Sequence, residues 1–287
     1  MNQSSNLIQP ILAHDRLLAS IHQGATANDD ALRLWWLGQS GYLVQWRGAH
    51  LLLDPYLSDS LTRKYADTQK PHIRMTEIPI APVQLDFIDV VTSSHNHTDH
   101  LDADTLGPLL KANPKMAIIV AAANGEFAAD RLQVAPARLT TIALDSPISV
   151  GPFTLHAVPA AHEALEQDAA GHHKFIGLVV EVGPWTIYHS GDTLCYPGMA
   201  ERLRHWSIDL AILPINGRDP QRGVAGNLSG DEAVQLALDI CARRVIPCHY
   251  DMFTFNTVSP AAFIQAAAAQ GQAYTVLQCG EEFTLSQ

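Results

Sequence analysis

An apolar run at residues 87–92 leads straight into Ser93-Ser94-His95-Asn96-His97-Thr98-Asp99-His100, setting three imidazoles and a carboxylate within six residues behind a buried strand. Nothing else in the chain restricts its fold as much. Histidine and aspartate are donors for divalent ions such as Zn²⁺, Mn²⁺ or Fe²⁺, and a solvated loop has no use for so dense a cluster. On an extended segment His95 and His97, two residues apart, aim at one point, while Asp99 and His100 turn toward a second. Such a site needs more donors, so distant strand ends have to reach the same edge of the fold. Three candidates stand where strands are expected to run out: His162 after Val158-Pro159-Ala160-Ala161, Asp192 after Tyr188-His189-Ser190-Gly191, and His249 after Val245-Ile246-Pro247-Cys248.

The rest of the chain supplies those strands. Residues 32–46, broken at Gly38 and Gly41, and residues 49–53 beyond the Arg47-Gly48 turn read as hairpins. Strand 87–92 is followed by a helix over about 104–111 with Pro108 in its first turn, then by a strand at 116–123 and a helix at 125–132. A β-rich stretch covers 139–158, and 175–182 pairs with 185–189 across Gly183-Pro184. The last third alternates: strand 209–214, a helix opened by the Ser229-Gly230-Asp231-Glu232 capping box, strand 245–247, a helix from Ser259-Pro260 to Gly271, and strand 273–277. Two halves of similar βα pattern with no linker predict one α/β sandwich over residues 31–287, preceded by an N-terminal helical extension, 1–30. That extension, with a helix near 11–23, reads as a surface appendage or the contact of a homo-oligomer.

Charge and composition narrow the partners. With 18 Lys+Arg against 29 Asp+Glu the net charge is −11, which disfavours nucleic acid. Four cysteines, none in a C-x-x-C pair, read as reduced thiols, with Cys195 and Cys248 as small buried residues. No basic and apolar leader opens the sequence and no run is long enough to span a membrane, so a soluble cytoplasmic protein acting on a small molecule is expected.

Taken in order, the 95–100 loop, the Gly191-Asp192 turn and the late His249 resemble the metallo-β-lactamase superfamily. Trp36-Leu37-Gly38-Gln39-Ser40-Gly41, Leu53-Asp54-Pro55, the segment from Ile187 to Thr193 and the segment from Ile246 to Asp251 look like the branch that contains L-ascorbate-6-phosphate lactonase. The resemblance implies a four-layer αβ/βα sandwich of two mixed β-sheets flanked by helices, with a dinuclear centre in a cleft. It further implies that His95, His97 and His162 hold one ion, that Asp99, His100 and His249 hold the other, and that Asp192 bridges. Asp54 falls at a position that supports the histidine loop from behind, and a carboxylate there would fix a ring's tautomer. Gln39 stands where many relatives have His.

Two divalent ions, Mn or Zn with Fe open, would bring the pKa of a shared water from 15.7 to roughly 7, giving hydroxide at neutral pH. Asp99 is then the candidate catalytic residue, orienting the nucleophile or accepting its proton. For the substrate, the loop after strand 209–214 carries Asn216, Arg218 and Arg222, whose cations suit a phosphate or carboxylate. His173 and Tyr250 are candidate polar contacts, and Trp36 a candidate pocket wall. The expected activity is a lactonase on a small anionic, sugar-like, optionally phosphorylated lactone. Alternatives are a phosphodiesterase or phospholipase on the same ions, or a metal-binding protein without turnover.

Overall fold

The computed structural model describes residues 7–27 and 29–286. Its strands are β1 (Leu32–Gly38), β2 (Gly41–Trp46), β3 (Ala49–Leu53), β4 (Val90–Ser93), β5 (Ala117–Ala121), β6 (Thr140–Ile142), β7 (Ile148–Val150), β8 (Phe153–Pro159), β9 (Ile176–Val182), β10 (Trp185–His189), β11 (Leu210–Pro214), β12 (Arg244–Cys248) and β13 (Glu282–Leu285). The α-helices are α1 (His14–Thr26), α2 (Ser60–Lys64), α3 (Ala103–Ala112), α4 (Gly125–Leu132), α5 (Met199–Leu203), α6 (Gly230–Asp239) and α7 (Ala261–Gln270).

The strands form two mixed sheets in the orders β13-β1-β2-β3-β4-β5-β6 and β12-β11-β10-β9-β8-β7. Each sheet combines an antiparallel meander with a parallel run, joined at β3–β4 in one and at β10–β11 in the other. Their inner faces share a core in which Trp36, Tyr42 and Val44 pack with Leu178, Val180, Ile187 and Ile212. The outer face of the first sheet is covered by helices: Leu17 and Ile21 of α1, Leu106 and Leu109 of α3 and Ala128 of α4 pack with Trp35, Leu43, Leu52 and Val91. Helix α6 covers β11 and β12 on the second sheet, with α7 against α6. The architecture is an α/β sandwich of two mixed sheets flanked by helices.

Alternation along β1 explains the adjacent tryptophans. Trp35 and Trp36 point to opposite faces and both are buried, because the first sheet is covered on both sides. Trp36 therefore belongs to the inter-sheet core instead of forming a pocket wall. Helix α1 is likewise a packed layer, its Leu17 and Ile21 fully buried. Helix α6 starts with the capping box read in the sequence: Ser229 Oγ accepts from Glu232 N and the Glu232 carboxylate accepts from Ser229 N.

Three local expectations are corrected. Pro108 lies inside α3, which begins at Ala103, beyond its first turn. Residues 273–277 make only an isolated parallel bridge from Tyr274 to Val245, and the last strand is β13, antiparallel to β1 in the other sheet. Cys195 is exposed, whereas Cys248 is buried.

Candidate metal centre

All seven expected donors meet at one end of the sandwich. His95, His97, Asp99 and His100 lie in the connection from β4 to α3, while His162, Asp192 and His249 follow β8, β10 and β12 of the facing sheet. After the extended Ser94-His95 segment a tight turn, with His100 N and Leu101 N donating to the His97 carbonyl at 3.1 and 2.8 Å, rotates Asp99 and His100 away from His95 and His97. Arg131 of α4 clamps the loop by donating to the Asn96 carbonyl at 2.6 Å and the Leu101 carbonyl at 3.3 Å.

Asp54 holds the loop from behind. It is fully buried at the exit of β3 and accepts from Ser94 N (3.0 Å), Ser94 Oγ, Thr92 Oγ1 (3.2 Å) and His100 Nδ1 (2.7 Å). Burial opposes its ionisation, but His100 outweighs that and keeps the carboxyl below its ordinary range. With Nδ1 donating to Asp54, the His100 Nε2 is left facing the cleft. The Gly226 carbonyl does the same for His162, accepting from Nδ1 at 2.9 Å. Phe175, which opens toward β9, packs its ring against His95, His97 and His162 at centroid separations of 5.1 to 5.8 Å.

The donors sort into two groups, His95/His97/His162 and Asp99/His100/Asp192/His249, and within each the ligand atoms lie within 4.8 Å of one another. Asp192 stands between them, Oδ2 being 3.7 Å from His162 Nε2 and 3.4 Å from His249 Nε2, and Oδ1 3.3 Å from His100 Nε2. Burial opposes the charge on Asp99 and Asp192, yet the surrounding histidines hold both carboxyls well below the ordinary range. Burial likewise works against a proton on His100, but Asp192 and Asp99 override it and push this histidine well above its usual value. His95, buried among other imidazoles, is driven well below and stays neutral. Among the described residues, buried His95 Nε2, His100 Nε2 and Asp192 Oδ1 have no hydrogen-bond partner. Orphaned polar atoms at the convergence of two ionised carboxylates fit cations well, because unpaired burial would otherwise be strongly unfavourable. The donor set, imidazole nitrogen and carboxylate oxygen, fits transition-metal ions.

The groups open into a cleft of about 560 Å³ whose lining includes His97, Asp99, His162, Asp192 and His249. Its other walls were not legible in the sequence. Lys64, Tyr65, Lys70 and His72 come from α2 and the segment after it, and Phe127 and Arg131 from α4. Lys64 Nζ donates to Thr98 Oγ1 at 3.1 Å, and Lys70 Nζ to the Gly223 carbonyl.

The expected substrate residues lie elsewhere. Arg218 is exposed and paired with Glu232 at 2.9 Å. Asn216 and Arg222 both donate to Asn256 Oδ1, at 2.9 and 2.8 Å, and so stand one layer behind the Asn256 that lines the cleft. Tyr250 is buried, packs at a tilt against Trp36 with ring centroids 4.5 Å apart and donates to the Leu277 carbonyl. His173 faces Gln167 at 3.1 Å on the exposed 163–173 loop. None of the five lines the cleft, because alternation and local ion pairs turn them into the core or onto another face.

Comparison with known proteins agrees with this arrangement. A family described as Beta-lactamase superfamily domain matches residues 50–250. Relatives include UPF0173 metal-dependent hydrolases of Saccharolobus solfataricus, 25% identical over 88% of this chain and 99% of that protein, and of Metallosphaera sedula, 26% identical over 87% and 98%. Among solved structures, a metallo hydrolase from Ignicoccus hospitalis superposes with a TM-score of 0.65 at 18% identity, over 90% of this chain and 99% of that one. An isothiocyanate hydrolase from Delia radicum gut bacteria gives 0.68 at 20% identity, over 89% and 100%. At these identities the two structures speak for the fold.

Proposed function

The chain belongs to the Beta-lactamase superfamily domain family and is similar across almost its whole length to metal-dependent hydrolases; from that premise we propose a dinuclear hydrolase that opens a small anionic lactone. The observation that supports this reading is the pair of adjacent donor groups, with Asp192 of one reaching to 3.7 Å from His162 of the other, in a cleft that Lys64 and Lys70 also line. His95, His97 and His162 would hold one ion, Asp99, His100 and His249 the other, with Asp192 common to both. When bound, such ions act as Lewis acids and make water nucleophilic at neutral pH.

The chain's own residues do the rest. Asp99, ionised and facing the cleft, can orient a water and accept its proton at the carboxylate oxygen left free of the donor group. Lys64 and Lys70 give an anionic substrate two ammonium partners, a role that Arg218, paired with Glu232, and Arg222, held behind Asn256, cannot fill. Leu61, Tyr65 and Phe127 supply apolar wall that displaces water from the uncharged part of the ring. The four free cysteines support a reducing compartment, the cytoplasm.

The test is initial hydrolysis rates of protein stripped and reloaded with Mn²⁺ or Zn²⁺, on a sugar-phosphate lactone, its uncharged counterpart and a simple phosphodiester. Lactone turnover is expected to fall about a hundredfold or more in Asp99→Asn with metal content retained. Lys64→Ala with Lys70→Ala is expected to raise KM about tenfold for the charged lactone alone. Diester turnover without lactone turnover would reject the lactonase, and a full rate in Asp99→Asn would reject the role of Asp99.

A further inference from the structure

Gln39, the first residue of the β1–β2 turn, is buried and has a positive φ of 51°. Its backbone carbonyl is fully used, accepting from Trp36 Nε1 and from His249 N, both at 3.0 Å. Its side chain reaches into the metal centre, where the amide nitrogen donates to Asp99 Oδ2 at 2.8 Å and lies 2.9 Å from His249 Nε2. Those two atoms, 3.5 Å apart, are donors of the four-residue group, so the amide nitrogen sits where both converge. Among the described residues the three-histidine group has no such neighbour, and the imidazole Nε2 of buried His95 is without a hydrogen-bond partner. Partnerless atoms occur in both groups, His95 Nε2 in one and His100 Nε2 and Asp192 Oδ1 in the other, so what sets the four-residue group apart is the neutral amide held against Asp99 and His249.

Resting on the dinuclear reading, we infer that Gln39 sets the difference in affinity between the two ions by competing for Asp99 and His249. A cation taken up by the four-residue group needs the same Asp99 and His249 atoms, so the amide has to give up both contacts as that ion enters. Uptake by the three-histidine group breaks no such contact. The chain would then fill in sequence, the three-histidine group first. In the partly loaded protein the amide keeps Asp99 and His249 aligned, which makes Gln39 a positioning residue. The backbone contacts that shape the turn do not involve the side chain, so substitutions at Gln39 leave them in place.

Equilibrium titration of the stripped full-length protein with Mn²⁺, counting free ion by electron paramagnetic resonance, tests this without reference to turnover. The parent protein is expected to show two binding steps, and Gln39→Ala to tighten the weaker step about tenfold while leaving the tighter step unchanged, from the loss of a hydrogen bond to a carboxylate. Gln39→Glu, which replaces the donor with a further anionic oxygen, is expected to tighten the weaker step at least as much. A weaker step that is unchanged or loosened in Gln39→Ala, with two ions still bound, overturns the role of Gln39 and leaves the dinuclear reading standing. If Gln39→Ala loses both steps through misfolding, Gln39→Glu decides by the same criterion. One ion in the parent and two in Gln39→Ala supports the competition, and one ion in every form overturns both the competition and the dinuclear centre.

Discussion

Buried histidines in this protein fall into two physical classes, and His50 shows the second. It is buried on β3 with its ring edge-on to Phe87 at 4.8 Å, and Gln45 Nε2 donates to its Nε2 at 2.7 Å while also donating to the Ile21 carbonyl. An acceptor nitrogen in an apolar setting keeps the ring neutral. Burial, partly opposed by Asp89, lowers its pKa to about 4. An unfolded chain binds this proton near pH 6.5 and the folded chain only near 4, so between those values unfolding takes up a proton. Stability is thus lost as pH falls through that window, by about 3 kcal/mol from this residue. His50→Phe removes the titration, and its unfolding free energy in urea should fall less steeply than the parent's between pH 6.5 and 4. Equal slopes would show that His50 is not the group responsible. The metal-centre histidines are of the other kind, recognisable in sequence because three crowd one loop. Gln39, Lys64 and Lys70 gave no such signal, since their importance comes from folding beside residues distant in sequence.

At the level of elements, the strands and the main helices were legible because each combines an apolar period with end punctuation, as at Ser229 and Gly271. Strand β13 was missed for a physical reason: Glu282-Phe283-Thr284-Leu285 is a half-exposed edge strand whose pairing with β1 depends on the turn at Gly280. The 60–72 segment lacked any period and still forms a wall of the cleft. Gly191 illustrates how an element ending can decide a site. It has φ +59°, and an added Cβ would lie 2.8 Å from both Ser94 Cβ and the Ile176 carbonyl oxygen. Ser94 binds Asp54 and touches His95 Nδ1 at 3.0 Å, so a push there is passed to the histidine loop. Gly151 has nearly the same backbone, φ +55°, with none of the described residues within 4 Å of the added atom. Gly151→Ala should therefore cost about 1 kcal/mol, from the backbone alone. Gly191→Ala should cost about 3 kcal/mol and weaken metal binding as well. Urea midpoints paired with Mn²⁺ titrations distinguish the two, and equal losses in both variants would reject the steric argument.

Across the whole molecule, the donors divide by sheet in a way that ties function to stability. His95, His97, Asp99 and His100 extend from β4 of the first sheet, and His162, Asp192 and His249 from β8, β10 and β12 of the second. Each donor group contains members of both, so ions held there would join the sheets at the one end where the shared apolar core gives way to charge. Without cations, ionised Asp99 and Asp192 lie close together in a buried setting, relieved by protons on nearby histidines and, for Asp99, by the Gln39 amide. Ions that bind the folded chain and not the unfolded one stabilise it by about 2.7 kcal/mol at a hundredfold excess over Kd. For a chain of this size that is about 5 °C in Tm. Stripping with a chelator should lower Tm by this order, and added Mn²⁺ should restore it with the logarithmic concentration dependence of linkage. In His162→Ala, which removes a second-sheet donor from the three-histidine group, the recovery should be smaller at the same Mn²⁺ concentration. A Tm indifferent to chelation and reloading would mean that the two sheets are held by their apolar core alone, and that the seven converging side chains do not act as a cross-link.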